Sequence, residues 1–247
     1  MIEPGNIYLG DCLELMPDIQ DKSIDMILCD LPYGTTACKW DVIIPFEPLW
    51  KQYKRIIKDN GAIVLTGREP FTSMLVVSNI KNYKHKWVWN KKQSGSFCTA
   101  KYMPLQIEED IIVFSYGAVK YYPRMRKGIF RVKGGGRNSE LYKSLSTGYC
   151  VENDEYYPVN IIDFPNCCNK EDNIHPTQKP VDLFAYLINT YTKPGELVLD
   201  NCCGSGTTAI AATRTGRDWI CMEKDPEIFQ AAQKRIEAEQ SQLRLAL

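Results

Sequence analysis

The sequence lacks the arrangements of cysteine and histidine that hold structural zinc. Its ten cysteines include two adjacent pairs but no Cys-x-x-Cys, and only two histidines accompany them. The common zinc sites need four such ligands at short, regular spacings. We therefore predict no metal site, and we expect reduced, mostly buried thiols in a cytoplasmic protein.

Long apolar runs and an excess of one charge are also missing. No stretch reaches the ~20 apolar residues that a membrane helix needs, and the opening Met-Ile-Glu-Pro-Gly does not form a secretory signal pattern. Thirty basic residues balance thirty acidic ones, so a nucleic-acid surface would require an uneven distribution of charge. A chain of 247 residues that is 44% hydrophobic can form one core with an insertion.

What the chain does contain is helices that alternate with short apolar strands. Strands are predicted at 7–9, 25–30, 62–65, 85–89, 110–114, 197–200 and 219–223, and helices at 45–58, 70–79, 181–191, 207–213 and 226–239. This order predicts an α/β fold with a doubly wound, mostly parallel, Rossmann-like sheet. Asn60-Gly61 is predicted to end the helix at 45–58. Residues 118–173 lack this patterning and are interpreted as an insertion into a single domain, 1–247.

Asp30-Leu31-Pro32-Tyr33 follows a predicted strand and is the first candidate site. Pro32 biases Leu31 toward an extended conformation, so the Leu31 carbonyl and the Asp30 carboxylate can face one cleft. Two acceptors beside the Tyr33 ring suit a planar ligand that carries an amino group. Taken alone, the same residues also fit an ordinary exit from a strand into a turn.

A glycine-rich turn between a strand and a helix is the second candidate site. Gly204 and Gly206 allow close approach of a ligand to the backbone and to the amides that begin the helix. No lysine precedes Thr207, which excludes a nucleoside-triphosphate loop. Glu223 ends the next strand, where an acid can accept from ribose hydroxyls. Because the Asp200 carboxylate would repel a pyrophosphate and attract a cation, the pattern favours S-adenosylmethionine over NAD.

With both sites in hand, the chain resembles the amino-methylating DNA methyltransferases of the circularly permuted β group. In that order the catalytic Asp-Pro-Pro-Tyr precedes the target-recognition region, and the glycine motif comes last. The matching stretches are Gly10 to Cys12, Asp30 to Tyr33, Trp87 to Lys91, His175 to Pro180, Asp200 to Thr208, and Glu223. Two departures are visible: Leu31 stands where the family has proline, and Asn201-Cys202 stands where it has Pro-Phe.

The resemblance implies a role for each matching residue. Asp30 and the Leu31 carbonyl would accept hydrogen bonds from the target amino group, Pro32 would shape the loop, and Tyr33 would stack on the base. Asp11 would contact the adenine of S-adenosylmethionine, and the ribose would bind Glu223. The implied cofactor-binding residues are Asp11, Cys12, Asp30, His175, Thr177, Gln178, Lys179, Asp200, Gly204, Ser205, Gly206, Thr207, Thr208 and Glu223. Of these, 177–179 and 207–208 would surround the methionine end.

Direct methyl transfer to an exocyclic amine of a flipped-out base is the implied reaction. Cysteine nucleophiles are not required, and none of the ten cysteines follows a proline, as the ring-carbon methylating enzymes would need. By resemblance, aspartate in the first motif position favours adenine N6, with cytosine N4 as the alternative. An NAD-linked oxidoreductase would share the glycine turn but leave the Asp30 motif unexplained. A non-catalytic nucleic-acid-binding module would tolerate Asp30→Ala.

Double-stranded DNA is the predicted partner, because basic and aromatic residues alternate where the family has its recognition region. The predicted DNA-binding residues are Lys91, Lys92, Arg124, Arg126, Lys127, Arg131, Lys133 and Arg137. By the same resemblance, a second copy of the chain and a cognate restriction endonuclease are candidate partners. The resemblance also implies a bacterial or phage-encoded protein that is located in the cytoplasm and associated with the nucleoid.

Overall fold

The structure is a computed structural model that describes residues 2–36, 38, 41–94, 97–133, 151–166 and 178–245. Its strands are β1 (Asn6–Leu9), β2 (Ile24–Cys29), β3 (Ile57–Gly67), β4 (Tyr83–Asn90), β5 (Glu108–Phe114), β6 (Arg126–Lys133), β7 (Val151–Tyr156), β8 (Ile161–Asp163), β9 (Leu197–Asp200) and β10 (Asp218–Glu223). Its α-helices are α1 (Cys12–Leu15), α2 (Phe46–Ile56), α3 (Phe71–Ser78), α4 (Val181–Tyr191), α5 (Thr207–Arg214) and α6 (Pro226–Leu245).

Eight of these strands form one sheet in the order β1-β10-β9-β2-β3-β5-β4-β8. All neighbours are parallel except β5, which runs antiparallel to both β3 and β4. The predicted mostly parallel α/β sheet is confirmed. As a result, the carboxyl ends of the parallel strands lie at the same edge of the sheet as the amino end of β5.

Apolar side chains cover both faces of the sheet. Along β2, Met26 and Leu28 join a cluster with α4 and α5, whereas Ile27 and Cys29 join a second cluster with α2 and α3. Each of these four residues is fully buried. A parallel strand between two helical layers needs apolar residues on both faces, which explains its continuous apolar run.

The helix end predicted at Asn60-Gly61 is wrong, because these residues lie inside β3. Helix α2 ends at Ile56, and Ile57 is already extended and paired with Ile24. The β2–β3 register then shifts, so that Met26 pairs with Ala62 and residues 58–61 form a bulge. A Cβ on Gly61 would lie 2.8 Å from the Asp25 carbonyl oxygen, so glycine serves close backbone approach here.

A second compact unit comprises residues 123–159 and contains the antiparallel β6–β7 hairpin. It is shorter than the insertion predicted at 118–173, because 118–122 and 160–166 belong to the main unit. Strand β8, which pairs with β4, was not predicted from the sequence. None of the described helices is long and apolar enough to cross a membrane.

Candidate active site

The predicted motifs converge at the edge of the sheet where the parallel strands end. Asp11 follows β1, Asp30 follows β2, Asp200 ends β9 and Glu223 ends β10. Thr66 is the penultimate residue of β3. Parallel sheets bind ligands at this edge because the loops after the strands can vary without disturbing the core.

The Asp30 carboxylate is held from two sides and is still reachable. Its Oδ1 accepts hydrogen bonds from the Tyr33 hydroxyl at 2.7 Å and from the Thr66 hydroxyl. Its Oδ2 accepts from the Lys179 ammonium at 2.7 Å. The side chain is 24% exposed. An oriented, accessible acceptor therefore stands where the sequence predicts one.

The Tyr33 ring is fixed on one face and at its hydroxyl. It stacks on Phe71 with centroids 5.0 Å apart, and the Lys179 Nζ lies 5.9 Å from its centroid. Its hydroxyl also lies 2.9 Å from Glu109 Oε1. Burial, with the charges of Asp30 and Glu109, raises the pKa of Tyr33 well above its usual value, so the hydroxyl stays protonated. Stacking of this ring on a base remains a proposal.

Asp41 holds the loop that follows the motif. Its carboxylate accepts from the backbone N–H groups of Gly34, Thr35 and Thr36 at 2.7–2.9 Å. Burial opposes ionisation, but the hydrogen bonds from Thr36 and from these amides outweigh it and lower the pKa of Asp41. Sequence reasoning gave Asp41 no role. Leu31, which stands where the family has proline, is 3% exposed and packs in the core.

Two lysines and a buried glutamate extend the site beyond Asp30. The Lys179 ammonium lies 2.9 Å from Glu109 Oε1, and the Lys91 ammonium lies 2.6 Å from Glu109 Oε2. Burial alone would raise the pKa of Glu109, but the ammonium groups of Lys179 and Lys91 lower it to about 2. Burial would lower the pKa of Lys179, but Asp30 and Glu109 outweigh it, and the pKa of Lys179 is raised. Glu109 and Lys179 are therefore both charged near neutral pH.

These contacts concern two residues whose roles were predicted from the sequence. Lys91 was predicted to contact DNA, but its side chain is 19% exposed and its ammonium is bound to Glu109. The ion pair with a buried carboxylate holds this charge at the site, and a contact between Lys91 and DNA stays a prediction. Lys179 was placed at the methionine end of the cofactor. Its carbonyl does lie beside the glycine motif, 3.3 Å from the Thr207 hydroxyl, but its ammonium lies on Asp30.

Glu109 is the functional candidate that sequence reasoning missed. It is the second residue of β5 and is 5% exposed. Because β5 is antiparallel, its first residues reach the edge where the neighbouring strands end. In the sequence, Glu109 is one of three consecutive acids that precede an apolar run. This pattern is typical of a strand that begins in contact with solvent. Its place at the site follows from the direction of β5 in the sheet and not from the local sequence.

The glycine turn has the conformation that its sequence predicts. Gly204 and Gly206 have φ of +51° and +76°, the left-handed region that favours glycine. The Gly204 N–H donates to Glu223 Oε2 and the Asp225 N–H to Glu223 Oε1, both at 2.9 Å. Burial raises the pKa of Glu223. This carboxylate thus joins the turn to the loop after β10.

The Asp200 carboxyl lies beneath the turn. It is 2% exposed and accepts from the Cys202 N–H at 3.1 Å and from the Thr208 hydroxyl. Burial raises its pKa to about 7. The sequence argument gave Asp200 a direct charge contact with the cofactor. In the structure the hydrogen bonds of this enclosed carboxyl support the turn, and a direct charge contact with the cofactor stays a prediction.

Other polar groups of the turn also face the protein. Ser205, Thr207 and Thr208 are each at most 4% exposed. Arg235 Nη1 donates to the Ser205 carbonyl at 2.9 Å and lies 3.2 Å from the Thr207 hydroxyl. The backbone of the turn is therefore the part that a ligand can approach closely.

Asp11 and Glu223 border the same end of the cleft. The Gly10 N–H donates to the Glu223 carbonyl at 2.9 Å, which ties the end of β1 to the end of β10. Asp11 caps α1 through the Leu13 N–H at 2.9 Å. The hydrogen bond from Lys224 lowers the pKa of Asp11. Cys12 and Gln178 are buried. His175 and Thr177 lie outside the described residues.

The predicted DNA-binding residues of the second unit are mostly exposed. Arg124, Arg126, Lys127 and Arg131 are on its surface, where the Lys127 ammonium lies 3.4 Å from Asp154. The acids of β7 offset part of the basic charge of β6. In the main unit, the exposed Lys92 pairs with Asp163 at 2.7 Å. The Lys133 side chain and Arg137 lie outside the described residues.

The chain is similar in sequence to known DNA methyltransferases. A family model described as DNA methylase, that of the N6/N4 methyltransferases, matches residues 24–234. The type II methyltransferase M2.MboI of Moraxella bovis is 28% identical, with 93% of this chain and 86% of that protein covered. The type II methyltransferase M.HinfI of Haemophilus influenzae is 26% identical, with coverage of 94% and 68%.

Solved structures share the fold at lower sequence identity. The M1.HpyAVI–SAM complex has a TM-score of 0.64 at 22% identity and covers 94% of this chain and 98% of its own. The cytosine-N4-specific PvuII DNA methyltransferase has a TM-score of 0.67 at 18% identity, with coverage of 95% and 87%. TTHA0409 of Thermus thermophilus, complexed with S-adenosyl-L-methionine, has a TM-score of 0.59 at 20% identity, with coverage of 94% and 95%.

Proposed function

The chain belongs to the N6/N4 DNA methylase family, whose members depend on S-adenosylmethionine, and on that premise we propose that it methylates the exocyclic N6 of adenine in double-stranded DNA. The observation that carries the proposal is the Asp30 carboxylate, held by two hydroxyls and a lysine and open to the cleft. Aspartate in the first motif position supports adenine. Cytosine N4 is the alternative, because the fold is shared with an N4-specific enzyme.

Asp30 and Leu31 would supply the hydrogen-bond acceptors that activate the target amine. An exocyclic amine conjugated to a base ring is a poor nucleophile. Acceptors at the Asp30 carboxylate and the Leu31 carbonyl would take both of its N–H groups, favour a pyramidal nitrogen and free the lone pair. When bound, S-adenosylmethionine supplies the methyl group on a positively charged sulfur. Catalysis then consists mainly of positioning and electrostatic stabilisation by the chain.

Asp30 would also stabilise the positive charge that the reaction creates on the amino nitrogen. The attacking nitrogen becomes positively charged and must lose a proton. A carboxylate beside it stabilises that charge and can receive the proton. A base inside a duplex cannot reach this cleft, so it must be flipped out. Stacking on Tyr33, whose ring is already fixed by Phe71, would offset part of the unstacking cost.

The base can be identified by mass spectrometry of nucleosides from the DNA of an expressing host that lacks its own methyltransferases. We expect N6-methyladenine. N4-methylcytosine without N6-methyladenine would overturn the choice of base but keep the reaction class. DNA without either nucleoside, from cells that contain the folded protein, would overturn the function.

Neutralising the arginines of the second unit should weaken DNA binding. Arg124, Arg126 and Arg131 are exposed basic residues that we propose contact phosphates. Changing all three to glutamine is expected to weaken DNA binding at least about tenfold and to reduce the slope of log K against log salt by about 2–3. S-adenosylmethionine affinity should not change. Fluorescence anisotropy at several salt concentrations measures both DNA quantities.

A matched control removes three exposed lysines of the main unit, Lys51, Lys54 and Lys234. This variant should bind DNA within about twofold of the wild type. Equal losses in both variants would show only an effect of net charge and would contradict the assignment. A homodimer, a cognate restriction endonuclease and a location beside DNA in the cytoplasm remain predictions from the resemblance.

A further inference from the structure

We propose that Glu109 is a positioning residue for methyl transfer: it shares the Lys179 ammonium with Asp30 and thereby leaves the Asp30 carboxylate able to stabilise a cationic amino group. The proposal rests on the DNA methyltransferase activity and is independent of which base is methylated. Sequence patterning gives Glu109 no role, and the motif residues named above do not include it.

Four charged side chains form a row of alternating charge in the order Asp30, Lys179, Glu109 and Lys91. The Lys179 ammonium lies 2.7 Å from Asp30 Oδ2 and 2.9 Å from Glu109 Oε1, and the second Glu109 oxygen lies 2.6 Å from the Lys91 ammonium. The side chains of Lys179 and Glu109 are 9% and 5% exposed. Water therefore screens these charges poorly. The four groups sum to zero charge.

Neutrality matters because the reacting atoms carry a positive charge throughout the transfer. The charge begins on sulfur and ends on the amino nitrogen, so it moves toward Asp30. In a neutral row, the nearest carboxylate dominates the potential at that nitrogen. Without the charge of Glu109, the row would carry one net positive charge, and the whole Lys179 ammonium would compete with the amine for Asp30.

Glu109 also reaches the aromatic part of the site. The Tyr33 hydroxyl lies 2.7 Å from Asp30 Oδ1 and 2.9 Å from Glu109 Oε1. One hydroxyl proton can serve only one of these carboxylates fully at a time. Glu109 thus helps to set the orientation of the ring that we propose stacks on the flipped base. Both effects would act on the chemical step more than on ground-state binding.

A purely structural ion pair is the competing explanation, since breaking a buried pair usually destabilises a protein. The two explanations differ in one respect. If Glu109 acts through its charge, removing a positive charge from the same row should restore activity. If it acts only through packing and stability, a second substitution in the row should lower the activity further.

The test is the single-turnover rate of methyl transfer at saturating S-adenosylmethionine and DNA. Glu109→Gln keeps the shape and removes the charge, and it is expected to slow transfer about 10- to 100-fold. Dissociation constants for S-adenosylmethionine and DNA should stay within about threefold. The double variant Glu109→Gln/Lys91→Met restores neutrality and should be at least about fivefold faster than Glu109→Gln. The exposed Glu108 provides the control, and Glu108→Gln should match the wild type.

Glu109→Gln within about twofold of the wild type, or a double variant no faster than the single one, would overturn the proposal. Thermal unfolding shows whether each variant folds. If Glu109→Gln does not fold, Glu109→Asp and the double variant are compared directly with the wild type. Both keep a neutral row and should remain within about tenfold of its rate; larger losses in both folded proteins would overturn the proposal. An inactive wild type would instead contradict the proposed function.

Discussion

Asparagine in place of Asp30 is expected to slow methyl transfer at least about 1,000-fold. The amide has almost the same shape, but it has no charge to stabilise the cationic nitrogen. It would also give Lys179 and the two hydroxyls a weaker acceptor. Cofactor affinity should fall by no more than about tenfold, because the loss falls mainly on the transition state. Single-turnover rates and equilibrium dialysis measure the two effects.

Asp59 offers the matched control, since its side chain is 84% exposed. Asp59→Asn should leave the rate within about twofold of the wild type. An Asp30→Asn protein that retains more than about a tenth of wild-type activity would contradict the assignment of Asp30 as a catalytic residue. Such tolerance is what a non-catalytic nucleic-acid-binding module would show.

Methionine in place of Lys179 is expected to make methyl transfer dependent on pH. In the wild type, Glu109 has a pKa of about 2, and the pKa of Lys179 is raised above its usual value. Neither group therefore changes charge between pH 6 and pH 9. Without the ammonium, two carboxylates would face each other at a site with little water. The pKa of that pair would rise, as it does for other like charges at close range.

The sign of the effect follows from the role of the carboxylate. Protonated Asp30 cannot stabilise a cationic amine, so the rate of Lys179→Met should fall as pH falls through the raised pKa. The slope should approach about tenfold per pH unit. Lys179→Arg keeps a positive charge and should retain a flat profile. Single-turnover rates from pH 5.5 to 9 test this, and a flat profile for Lys179→Met would contradict the electrostatic account.

Elements with strong local signals could be predicted from the sequence alone. Helix α4 is found over Val181–Tyr191, as predicted, because Pro180 precedes it and apolar residues recur at helical spacing. The glycine turn also follows from local sequence, since Gly204 and Gly206 adopt positive φ. These features depend on neighbours within a few residues.

Features that depend on distant pairing could not be predicted in the same way. Asn60-Gly61 has the local pattern of a helix end, but pairing with β2 places it in a bulge of β3. Lys120 lies in the insertion predicted at 118–173, yet its ammonium lies 2.6 Å from Glu196 and 3.2 Å from the buried Asp25. Its charge is used within the main unit. Burial and pairing decide what a charged residue does, and a charge count does not show them.

Glu109 shows the same limit at the site itself. Its position beside Asp30 and Lys179, from which we propose its role, depends on three facts that no short window contains. These are the antiparallel direction of β5, the register of β5 against β3, and the arrival of Lys179 from a distant part of the chain. Asp30 was predictable because its motif is contiguous. The groups that surround Asp30 come from separate strands and loops.

The most direct test uses purified protein, unmethylated genomic DNA and S-adenosylmethionine with a deuterated methyl group. Mass spectrometry of the digested DNA then locates the label. The account predicts a deuterated methyl group on the exocyclic amine of adenine with the wild type and almost none with Asp30→Asn under the same conditions. Label on a ring carbon of a pyrimidine, or equal labelling by the two proteins, would contradict it.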